Sequence, residues 1–179
     1  MNETYDANDG IAPVEGRFPD HPELAEARQE MASLEAASDP SLLSLYRNEL
    51  MPVYQRLNER WHECLTAEGG QLVGMELANS GSSMYALILK DPSEPGRYRA
   101  QYFAECGFTG HSTYDTSIRV FTELLREGFD RPAAGTLERI CQAPVWQIGM
   151  QRAYLIEQMN QCKLSFEEFV DKSSRLKVA

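Results

Sequence analysis

Cys106 and His111 stand five residues apart in the stretch 98–115, YRAQYFAECGFTGHSTYD. A thiol beside an imidazole is the minimum for nucleophilic catalysis. The ring takes the proton, the thiolate attacks, and a third group orients the ring, a role open here to Glu105 or Asp115. Gly107 and Gly110 let the backbone turn sharply in the loop CGFTGHS, and the amides of a helix that follows it are suited to an anion. Two well-known loop chemistries are excluded. There is no G-x-x-x-x-G-K run for a phosphate loop, and no G-x-S-x-G for a serine on a strained turn. A cysteine at a strand end is more often a small buried residue, and that is the stronger reading of Cys106. No catalytic residue is therefore assigned, and Cys106 and His111 remain candidates for a cysteine-dependent enzyme.

The same stretch also has the composition of a binding surface. Tyr98, Tyr102, Phe103, Phe108 and Tyr114 lie close to Arg97 and Arg99. Aromatic rings beside arginines suit stacked bases or a protein interface. A net charge of −10 argues against nucleic acid, because nucleic-acid binders carry basic patches. The expected binding set is Arg97, Arg99, Tyr102, Phe108, Thr109, His111 and Tyr114. Thr109 and His111 are the two with no structural duty in view.

No metal or cofactor site is expected. His62 and Cys64 are two apart on a predicted helix and point to different faces. Cys64, Cys106, Cys141 and Cys162 form no C-x-x-C pair. Without an export signal they are expected to be reduced, in a cytoplasmic protein. Glu123 and Glu127, one helical turn apart, read as surface charge.

These groups are held by a helix–strand–helix order. Residues 1–39 carry ten acids and two bases, a net −8, whereas the remaining 140 residues are nearly neutral at −2. Residues 1–20, with two glycines and two prolines, read as an acidic tail. The spacing predicts a peripheral helix over 22–37, with Pro22 in its first turn. Asp39 and Pro40 open a second helix with a strong apolar stripe, kinked or split by Pro52 and ended by Gly69. Alternation at 73–77, an apolar run at 84–90 and a third run at 98–105 predict strands. Ser112–Asp115 has the S-x-x-D form of a capping box for a helix ending near Gly128. Residues 130–135 read as a connector. A short helix stops at Pro144, a longer one covers 145–162, and Ser165 with Glu168 caps a last one.

The expected class is α+β: a small three-stranded antiparallel sheet over about residues 71–105, flanked by N-terminal and C-terminal helices on one of its faces. The domain spans 21–179 behind the tail. No motif defines a family, and the general character is that of a small bacterial or phage accessory protein. The expectation for function is a non-enzymatic acidic protein-binding or regulatory protein (an inhibitor, immunity protein or adaptor) whose partner has a basic surface. The alternatives are the cysteine-dependent enzyme and an accessory subunit of a larger complex.

Overall fold

A computed structural model describes residues 9–37 and 40–176. Helix α1 spans Pro22–Ala37. Helix α2, Pro40–Leu45, runs through a π-helical turn, Tyr46–Leu50, into α3, Met51–Ala67. The sheet strands are β1 Glu76–Asn79, β2 Tyr85–Lys90, β3 Tyr98–Ala104, β4 Gly107–Tyr114 and β5 Phe129–Pro132. Helix α4, Ser117–Arg126, lies between β4 and β5. The chain ends in α5 Thr136–Cys141, α6 Pro144–Asn160 and α7 Phe166–Ser174. The wide turn just before Pro52 is where the proline makes itself felt. Its ring excludes a regular carbonyl one turn back, and a π-turn relieves that conflict without ending the helix. Asp39, the expected cap of α2, lies outside the described residues.

The sheet has five antiparallel strands in the order β4-β3-β2-β1-β5, not three. Two segments read as loops supply the difference. The glycine-rich run after Cys106 is β4, paired with β3 from Tyr98↔Tyr114 to Ala104↔Gly107. The run read as a connector is β5, paired with β1 through Leu77↔Pro132 and Ala78↔Arg131. Ser112 is consequently a strand residue and caps nothing. Thr116 caps α4 instead, its Oγ1 accepting the Arg119 N–H at 3.1 Å.

Helices cover both faces of the sheet, and α4 is inserted within it, so the picture of flanking helices on one face is corrected. Leu77, Ala86, Ile88 and Ala100 point to one side and pack on Trp61, Cys64 and Leu65 of α3 and on Val120, Phe121 and Leu124 of α4. Trp61 stacks on Phe121 with ring centroids 4.6 Å apart. The larger of these side chains contribute about 1.5–3 kcal/mol each, so this layer is a main source of stability. The opposite parity, Tyr85, Leu87 and Phe103, meets Ile140 of α5 and Trp146 and Met150 of α6. Glu76 joins the two layers by accepting the Leu137 N–H at 3.0 Å, which supplies α5 with a capping acceptor from β1.

Residues 9–21 lie along the first layer. The Asp9 carbonyl accepts from the amides of Leu72 and Val73, and its carboxylate meets Lys90 Nζ at 2.7 Å and Tyr98 Oη at 3.1 Å. The Pro19 carbonyl accepts Trp61 Nε1–H at 3.0 Å. Gly70, at φ +84°, is where this segment crosses the end of α3. A Cβ there would press on the Ile11 carbonyl and the Phe18 ring. His21 is fully buried edge-on against Trp61. Among the described residues no helix is long and apolar enough to cross a membrane.

Candidate functional site: the free edge of the β3–β4 hairpin

The hairpin is built by alternation in β3 and by two supports outside it. Odd positions of β3 face the α5–α6 layer: Phe103 is buried there, and Arg99 and Gln101 continue the same face. The Arg99 guanidinium makes two bonds to the buried Asp91 carboxylate, Nε to Oδ2 at 3.1 Å and Nη2 to Oδ1 at 3.0 Å. Thr113 Oγ1–H donates to Asp91 Oδ2 at 2.9 Å, and the amides of Ser93 and Glu94 donate to Oδ1. Burial pushes the Asp91 carboxyl up, but the Ser93 amide, Arg99 and Thr113 together hold it well below the usual carboxylate range. This cluster ties the β2–β3 loop to β3 and β4. Arg97 spans the other end, donating from Nε to the Tyr114 carbonyl at 3.2 Å and pairing with Asp115 at 3.3 Å.

The second support is α6. Gly149 packs directly on the Glu105–Cys106 turn, and Phe108 and Phe103 set their rings edge-on to Trp146, with centroids 5.1 and 6.4 Å away. Neither Gly149 nor Trp146 was singled out as part of a site from sequence. A glycine inside a helical run is the one local sign of such a close approach.

The structure does not bring Cys106 and His111 together. Cys106 is exposed in the turn, and His111 lies four strand residues beyond Gly107. At about 3.3 Å per residue that is roughly 13 Å, far beyond hydrogen-bond reach. His111 sits opposite Gln101 and is exposed.

Several of the binding candidates are occupied by the fold. Arg99 is in the Asp91 cluster and Arg97 holds the end of β4. Tyr102 donates from Oη to Glu127 Oε2 at 2.9 Å, and burial first and this carboxylate second raise its phenol above the ordinary range. Tyr114 is partly buried against the first layer. Phe108, Thr109 and His111 remain on the outside, together with Gly110. Thr109 is the extra residue of a β-bulge, since the register passes from Tyr102↔Gly110 to Phe103↔Phe108.

His62 and Cys64 diverge as their spacing demands. His62 Nε2 approaches Asp20 at 3.4 Å, while Cys64 points inward to the Asp130 carbonyl. Among the described residues no group of three or more His, Cys, Asp or Glu is placed to hold a metal ion.

β4 closes one end of the sheet and β5 the other. The two edges differ. β5 has four residues, carries Asp130 and Arg131, and ends in Pro132. Charge, proline and shortness are the usual means of blocking edge pairing. β4 has eight residues, GFTGHSTY, with no Asp, Glu, Lys, Arg or Pro. Among the described residues its protection is the bulge at Thr109, the Arg97 and Gln101 side chains on the Tyr114 and Gly110 carbonyls, and α6 against its Gly107–Phe108 end. Comparison with protein-family models, with curated proteins and with solved structures finds no match to this chain.

Proposed function

We propose that this is a non-enzymatic, acidic protein-binding protein of the inhibitor, immunity-protein or adaptor type, and that it takes an extended segment of its partner against β4. The observation that carries the reading is the eight-residue uncharged edge, beside an opposite edge that is short and proline-terminated. Strand addition uses the main-chain groups of such an edge for affinity and neighbouring side chains for selection. Phe108, Thr109 and His111 are the side chains placed to select. The charge of −10 favours a partner with a basic surface and predicts weaker binding as salt rises.

The test compares capture by the wild type with capture by Thr109→Lys and His111→Lys, which place a charge on the edge. The wild type retains a partner at low salt, and both variants lose it while keeping the wild-type circular dichroism and melting temperature. Equal retention of the same partner by the variants, or no partner retained by the wild type, would overturn the reading.

A second reading, an accessory subunit of a larger assembly, has its own support. α6 buries only Trp146 and α7 buries no residue, and Tyr154 and Phe166 are 60% and 68% exposed. Large apolar groups left open on a helical hairpin are characteristic of interface surfaces.

A further inference from the structure

On the far side of the sheet from β4, α1, α3, the end of α4 and β5 enclose a cleft of about 520 Å³. That volume lies within the roughly 300–1,000 Å³ range of small-ligand sites. Val53, Leu57 and Leu125 give it an apolar wall. An ion pair between Arg126 and Glu23 crosses one side, and Arg126 also bonds Glu123, so that guanidinium is already used.

Two charged groups on the wall are not fully engaged by other protein groups among the described residues. Arg56 makes no ion pair or hydrogen bond among the described residues, although Arg60 one turn along the same helix face pairs with Glu63 at 2.6 Å. Among the described residues Asp130 Oδ1 is buried without a hydrogen-bond partner, and its other oxygen meets only Arg60 Nε, at 3.9 Å. A carboxylate oxygen held away from water without a donor is unfavourable, and a guanidinium fork is built to receive a carboxylate. The lining of the cleft thus combines a guanidinium open to an anion at Arg56, a carboxylate open to a cation at Asp130 and an apolar wall.

We propose that this cleft binds a small zwitterion with an apolar body, of the size of a hydrophobic amino acid or dipeptide. Its carboxylate lies on Arg56, its ammonium donates to Asp130, and its side chain covers Val53, Leu57 and Leu125. The site is independent of the β4 edge, and no covalent chemistry is involved.

Calorimetric titration of the full chain with L-leucine and with leucyl-leucine tests the proposal. Leucinamide, which lacks the carboxylate, and N-acetyl-leucine, which lacks the ammonium, serve as paired controls. Saturable binding of at least one zwitterion is expected, with each blocked analogue about tenfold weaker for the loss of one charge-assisted contact. Arg56→Gln removes the preference for leucine over leucinamide, and Asp130→Asn removes the preference over N-acetyl-leucine. Thr109→Lys leaves the titration unchanged, which separates this site from the hairpin. Arg56 is exposed and unpaired, so R56Q keeps its fold and carries the decision if D130N is unstable. The proposal is overturned if neither zwitterion gives saturable heat at millimolar concentration, if the blocked analogues bind equally well, or if R56Q still discriminates.

Discussion

A Cβ placed on Gly149 would run into the carbonyl oxygen of Cys106. That contact seats α6 on the β3–β4 turn and brings Trp146 over Phe103 and Phe108. Alanine there improves the local helix by about 0.5–1 kcal/mol. The backbone clash outweighs this gain, since forced overpacking costs about 1–3 kcal/mol. Gly149→Ala should therefore lower the melting temperature. Gly110→Ala, whose Cβ would meet nothing within 4 Å, should leave it nearly unchanged. A Gly149→Ala protein as stable as wild type would mean that α6 is not held at this point.

His21 should make the protein acid-sensitive well above the carboxylate range. Its ring is fully buried, its Nδ1 accepts the Glu23 N–H at 3.2 Å, and its Nε2 has no partner among the described residues. Burial first, and the nearby Arg126 charge second, lower its pKa from 6.5 to about 4. In the unfolded chain the ring takes up a proton as the pH falls below 6.5, whereas in the folded protein it stays neutral to about 4. Between those values the unfolded state binds more protons. The stability due to neutral His21 is complete above pH 6.5 and is lost at up to about 1.4 kcal/mol per pH unit on the way down to 4. Denaturant unfolding of wild type and His21→Asn across this window should give a sloping and a flatter profile. Parallel profiles would refute the assignment.

Asp91 should behave in the opposite manner. Its carboxylate is held charged by the Ser93 amide, Arg99 and Thr113 despite burial. Its contribution therefore persists below the ordinary aspartate range and is lost only in stronger acid. Removing the charge leaves the half-buried Arg99 without its carboxylate, which is the costly way to break such a pair. Asp91→Asn should lower the melting temperature more than Asp171→Asn, which touches only the exposed Arg175. Equal effects would show that the cluster does not hold the β2–β3 loop.

The four thiols should fall into distinct classes. Cys106 and Cys162 are exposed, Cys141 is half-buried and Cys64 is buried. Burial, with help from Asp130, pushes the Cys64 thiol up to about 12. Iodoacetamide should modify Cys106 and Cys162 in the native protein and Cys64 only after unfolding. Because His111 is remote from Cys106, His111→Ala should not change the Cys106 rate. A marked slowing would revive the thiol–imidazole reading.

What could be read along the chain was what is decided within one turn of a helix or one strand. Ser165 and Glu168 form the reciprocal capping box expected of them, with the Ser165 N–H donating to the Glu168 carboxylate at 2.9 Å. The burial of Trp61 and Cys64 in α3 and the core runs of β2 and β3 follow from periodicity, whereas Val53 of the same stripe is left half exposed. Ser112 and Asp115 have the same local pattern as a capping box, yet Ser112 pairs in a strand opposite Ala100. The difference lies in hydrogen bonds to β3, and no short-range signal announces them in a segment that is polar on both parities and carries two glycines. β5 is the stronger case, since its pairing with β1 joins Phe129 to Asn79, fifty positions apart in the sequence. Only the folded chain could decide that β4 lies at an open edge, that α6 closes the second face, and that Arg56 and Asp130 line one cleft. Each of these depends on the packing of segments far apart in sequence, and neighbouring residues exert no force that specifies it.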